Sequence, residues 1–65
     1  MLIYFTESRS NRPVAINTRK INTVLTLSEG EYAGKTMIIY SGGSISVEEN
    51  ELDVVGRINA ELKGE

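Results

Sequence analysis

Residues 35–47, K-T-M-I-I-Y-S-G-G-S-I-S-V, spell a β-hairpin. Lys35 to Tyr40 carries the β-branched and aromatic residues that favour a strand. Ile45-Ser46-Val47 alternates, with Ile45 and Val47 on one face. Between them, Ser41-Gly42-Gly43-Ser44 offers a glycine pair able to take positive φ at both central turn positions.

Upstream, Ile21 to Leu27 is Thr-rich and β-branched and reads as another strand, with Leu25 and Leu27 on one face and Val24 and Thr26 on the other. Ser28 to Gly34, with two glycines and two glutamates, connects it to the hairpin. Met1 to Thr6 has strand composition, and Glu7 to Arg12 is a polar turn. Pro13 lacks a backbone N–H, which suits the first position of a strand, and Val14-Ala15-Ile16 follows. Asn17 to Lys20 offsets the chain, since Asn bonds nearby backbone and tolerates the left-handed region.

Downstream the period changes. Leu52, Val55, Ile58 and Leu62 are spaced three, three and four apart, one stripe of a helix, and Val54 with Ile58 adds an i, i+4 pair. Asn50 fits the N-cap, while Glu51 and Asp53 favour the positive end of the helix dipole. Gly56 costs about 1 kcal/mol inside a helix relative to Ala, unless it permits close packing on the sheet. The expected fold is α+β: a small antiparallel β-sheet of five short strands, over about 2–6, 14–16, 21–27, 35–40 and 45–47, with one C-terminal helix, over about 51–63, packed on it.

Size and composition bound the function. A chain of 65 residues is one small domain. At roughly 60 residues only about 60% of the unfolded surface is buried, so a lone monomer is marginal. With no Cys and no His, disulfides, Cys/His zinc sites and Ser–His or Cys–His nucleophilic pairs are excluded, and self-association is the expected remedy. The longest apolar runs, Met1 to Phe5 and Met37 to Tyr40, fall far short of the roughly 20 residues of a membrane-spanning helix. A cytoplasmic protein without cofactor or metal is the expectation.

The net charge of −2 is a sum of unlike parts. Residues 8–22 hold Arg9, Arg12, Arg19 and Lys20 and no acid, whereas residues 44–65 hold six acids against Arg57 and Lys63. Arginine's planar fork matches phosphate or carboxylate, so Arg9, Arg12, Arg19 and Lys20 are candidate binding residues, although cations on loops are also ordinary solvated surface. Tyr32, in a polar connection, either anchors a ligand or partner or covers the edge of a small core. Gly42-Gly43 reads as a hairpin turn before it reads as an anion nest, and capping accounts for Glu48, Glu49, Glu51 and Asp53 without a metal. The acidic balance argues against an extended duplex nucleic-acid surface.

Val14-Ala15-Ile16-Asn17 with Ile21 and Val24, then Tyr40-Ser41-Gly42-Gly43-Ser44-Ile45-Ser46-Val47-Glu48-Glu49, then Asp53-Val54-Val55 with Ile58, resembles the small FlbD-type flagellar and swarming motility proteins. The resemblance covers about residues 13–62. It implies strands, a glycine turn, a V-x-E segment and a closing helix, in a non-enzymatic accessory protein with no catalytic residues.

Two functions follow as expectations. The first is a non-catalytic, homo-oligomeric binding or regulatory module acting by protein–protein contact. The second is a protein of the kind phages and mobile elements encode, which sequesters an anionic nucleotide signalling molecule in a pocket between subunits. Arg9, Arg12, Arg19, Lys20 and Tyr32 are the residues on which either would draw.

Overall fold

The computed structural model describes residues 2–64 and is α+β. Its elements are β1 (Leu2–Thr6), β2 (Pro13–Asn17), a 3-10 turn (Thr18–Lys20), β3 (Ile21–Thr26), β4 (Thr36–Tyr40), β5 (Gly43–Val47) and α1 (Glu51–Gly64).

The five strands form two antiparallel sheets rather than one: β1 with β2, and β3-β4-β5 with β4 in the middle. Among the described residues one β-bridge links their backbones, between Glu7 and Val47, where Ser8 N–H donates to Ser46 O at 2.8 Å and Glu48 N–H donates to Thr6 O at 2.8 Å. The division has a local cause. At Glu7 the chain leaves β5 for the β1–β2 turn, which is closed by Glu7 N–H to Arg12 O and Asn11 N–H to Glu7 O, with Asn11 in the left-handed region at φ 58°. At the other end of β2, the Asn17 side chain accepts from Arg19 N–H, and the 3-10 turn redirects the chain into β3.

The hairpin forms with Tyr40 opposite Gly43, so Ser41 and Gly42 are its central residues. Of the glycine pair only Gly43 has positive φ, at 151°. In β3 the register shifts between Ile21 and Thr23, leaving Asn22 as an extra residue. That bulge lets Ile21 and Val24, three apart, both pack against the core.

Ile3, Phe5, Ile16, Ile38, Val47, Val54 and Ile58 make the core. Alternation accounts for the strand members, because Ile3 and Phe5 share a face of β1, and Ile38 and Val47 lie on the inner face of β4–β5. Helix α1 covers this core with Val54 and Ile58. Its N-terminus is capped by the Asn50 side chain, which accepts from Asp53 N–H at 2.8 Å.

Arg57 ties α1 to β1. Its guanidinium lies 4.6 Å from the centroid of the Phe5 ring, donates to Tyr4 O, and approaches Glu49 at 3.8 Å and Asp53 at 3.9 Å. Glu49 in turn accepts from Thr6 N–H at 2.9 Å, and Glu51 accepts from the Thr26 hydroxyl at 2.8 Å. Of the acidic cluster, Glu49 and Glu51 tie the start of the helix to β1 and β3, Asp53 pairs with Arg57 within α1, and Glu48 pairs with Lys35.

The expected helix stripe is not the one that packs. Only Ile58 of Leu52, Val55, Ile58 and Leu62 is buried, whereas Leu52, Val55 and Leu62 are 85%, 38% and 45% exposed. Gly56 likewise makes no close approach to the sheet, since a Cβ there would meet nothing within 4 Å. Gly56→Ala is thus expected to raise stability by about 1 kcal/mol, the full helix-propensity difference. A thermal melt of the variant checks this; an unchanged or lower midpoint contradicts it.

Candidate functional site

The outer face of the β4–β5 hairpin follows from register. Met37 lies opposite Ser46, and Ile39 opposite Ser44, so these four point away from the core. Two loops rise beside that face. One is the β1–β2 turn with Glu7 and Arg9. The other is the β3–β4 connection, which is a compact extension of its hairpin: Leu27 N–H donates to Lys35 O at 2.9 Å and Gly34 N–H to Leu27 O at 2.8 Å. Gly30 and Gly34, at φ 94° and 87°, take the left-handed conformations this path requires. Lys35 N–H donates to Tyr32 O at 2.9 Å, which fixes the tyrosine beside the strand.

Glu7, Arg9, Tyr32, Met37, Ser44, Ile45 and Ser46 line a cleft of about 180 Å³ there. Arg9 and Tyr32 thus line one cleft, although 23 positions separate them in sequence. Arg9 makes no ion pair with another described residue, and Glu7 accepts the Ser10 hydroxyl at 2.6 Å.

A second cleft, about 200 Å³, opens where β5 and β2 diverge, and its walls are Val14, Ala15, Ile16, Asn17, Lys20, Tyr40 and Ile45. Lys20 stands at this cleft and makes no ion pair with another described residue. Arg12 and Arg19 line neither cleft. They flank opposite ends of β2, a strand of five residues, so they stand about 17 Å apart at strand rise. The cations are dispersed around the β1–β2 hairpin rather than gathered on one anion.

Strand alternation also exposes backbone. Ser46 O and Glu48 N–H face the outer edge of β5, because they bond to Ser8 and Thr6. Ser44 has the same orientation, two residues earlier. Its N–H and C=O, and the N–H of Ser46, have no hydrogen-bond partner among the described residues.

Val55, one of the exposed residues Leu52, Val55 and Leu62 of α1, lies beside β3. Ile21, Val24, Val55 and Ile58, with Asn22, Thr23 and Asn59, line a seam of about 280 Å³. β3 is the other edge of the three-stranded sheet. Sequence periodicity left this surface hidden, because it could not tell which of two overlapping apolar stripes packs inward.

The titration of Glu48 is displaced downward. The Ser8 hydroxyl first, and then Lys35 with its ammonium 3.0 Å away, hold its carboxyl below the ordinary value of 4.5. A lowered carboxylate stabilises the fold above its unfolded-state pKa, and that contribution is lost as pH falls through the folded pKa. An NMR titration of the side-chain carboxyl is expected to give a Glu48 midpoint below 4.5, which rises in Lys35→Met. A midpoint indifferent to Lys35 contradicts the assignment.

Among the described residues no group of three acids, cysteines or histidines is placed to hold a metal, and no helix is long and apolar enough to cross a membrane. No protein-family model, curated protein or solved structure matches the chain.

Proposed function

We propose that this chain is a non-catalytic binding and regulatory module that works as a homo-oligomer through protein–protein contacts. One observation carries the reading: the stripe of Leu52, Val55 and Leu62, exposed along a helix whose other face already holds the core. Scattered surface leucines are ordinary, but three exposed apolar residues in helical register, with Val55 beside the half-buried Ile21 and Val24, mark one side of the helix as a candidate contact surface.

Its occupant in this reading is a second copy. Two-fold pairing is the commonest symmetry, and with its axis across the helices it lays the two α1 helices antiparallel. The first turn of α1 is acidic, with Glu51 and Asp53, and the last turn carries Lys63. Antiparallel packing brings each Glu51–Asp53 end toward the partner's Lys63, which shares its turn with Glu61. The resemblance of residues 13–62 to FlbD-type motility proteins favours the same class of function. The test is whether charge on the stripe, Leu52→Glu with Val55→Glu, splits the assembly without unfolding the chain.

The second reading, retention of an anionic nucleotide, draws on Arg9 and Tyr32 sharing a cleft. At about 180 Å³, that cleft lies below the roughly 300 Å³ at which small-molecule pockets begin, so in this reading a second copy has to complete the pocket. Protein contact is the better-supported function.

A further inference from the structure

We infer that the outer edge of β5 is a docking groove for an extended acidic peptide from a partner protein. The inference rests in part on the proposed role as a protein-binding module, but uses a different face from the one assigned to self-association. Three observations converge on one line of chain.

The first is backbone. Beyond its bridge to Glu7, β5 leaves Ser44 N–H, Ser44 C=O and Ser46 N–H facing outward without partners among the described residues. Such groups are the template for adding one more strand, in which main-chain bonds supply affinity and flanking pockets supply specificity. The second is shape. The two clefts, about 180 and 200 Å³, both reach Ile45 in the middle of β5, one on each side of the edge. An extended peptide sends alternate side chains to opposite faces, so its odd and even residues would fall into different clefts.

The third is charge, and it selects the partner. Arg9 stands at one cleft and Lys20 at the other, each without an ion pair to another described residue, and each cleft has a tyrosine, Tyr32 or Tyr40. An acidic side chain on either face of the added strand therefore meets a cation. Glu7, at the Arg9 cleft, repels an acid placed too far toward the Glu7–Val47 bridge and so helps set register. Salt-sensitive binding follows from the exposure of both cations.

The test uses a capped peptide of alternating glutamate and valine, with its lysine–valine counterpart as control, titrated into the isotopically labelled full chain. The acidic peptide is expected to bind, to move the Ser44 and Ser46 amide resonances, and to weaken with added salt. Arg9→Glu with Lys20→Glu is expected to weaken it by roughly tenfold or more while leaving the fold intact. Ser46→Pro removes an edge donor the fold does not use and is expected to weaken it too. Equal binding of the basic peptide, shifts confined to α1, or no binding overturns the inference. A dimer that ignores the peptide refutes this groove alone; a monomer that binds it refutes the self-association reading alone.

Discussion

Phe5→Ala is expected to remove the cooperative thermal transition of this protein. Phe5 is the largest of the fully buried side chains, 1% exposed, and belongs to a core with Ile38, Val47 and Val54. Truncating a buried Phe to Ala costs about 3–5 kcal/mol in lost transfer energy and residual cavity. The Arg57 guanidinium over the ring adds about 0.5–1 kcal/mol. A chain of this length has a total stability of only about 3–10 kcal/mol, at roughly 0.05–0.15 kcal/mol per residue. Circular dichroism against temperature checks the result. Phe5→Leu, which refills most of the volume but removes the aromatic face, is expected to fall between the two. A Phe5→Ala midpoint within about 5 °C of wild type, where each kcal/mol should move it by about 4–8 °C, contradicts the described core.

The second large effect concerns assembly. In a monomer, Leu52→Glu with Val55→Glu should cost only about 1–2 kcal/mol: Leu52 is 85% exposed and an acid there favours the helix N-terminus, while Val55, 38% exposed, loses part of its apolar contact and gains Glu51 as a like-charged i, i+4 neighbour. In the proposed dimer the same change buries four unpaired carboxylates about the two-fold axis. Each carries a desolvation cost of several kcal/mol, so association should weaken by about a thousandfold or more, which is about 4 kcal/mol. Sedimentation of wild type and variant reads this directly. A folded variant with the mass of the wild type contradicts the assigned surface. Loss of fold at low concentration would place the two residues in the core instead.

The elements are local and were legible. Strand composition marks Leu2–Thr6 and Thr36–Tyr40, and Pro13 opens β2 where a missing N–H is tolerated. The helix with its Asn50 cap is equally plain. What eluded sequence reading depends on relations between elements. Spacings of three, three and four through Leu52, Val55, Ile58 and Leu62 compete with the four-residue spacing of Val54 and Ile58, and periodicity alone cannot say which stripe meets the sheet. The split into two sheets is set by a single bridge at Glu7 and Val47. The bulge at Asn22 is a one-residue shift that strand composition does not record.

The candidate site divides in the same way. Residue types pointed to Arg9, Arg12, Arg19, Lys20 and Tyr32, but their grouping is a property of the fold. Tyr32 shares a cleft with Arg9 because two left-handed glycines turn the β3–β4 connection back along the sheet. Arg12 and Arg19 are held apart by the length of β2. The outward amides of Ser44 and Ser46 leave no trace in side-chain chemistry at all, and their role emerges only once strand order places β5 at an edge.

Function at a surface shared between copies is the central claim, and the mass of the wild-type chain in solution tests it most directly. Sedimentation equilibrium at micromolar concentration and moderate salt is expected to return twice the 7.2 kDa of a single chain, falling toward one chain on dilution. A mass of 7.2 kDa at every concentration up to the limit of solubility would contradict it.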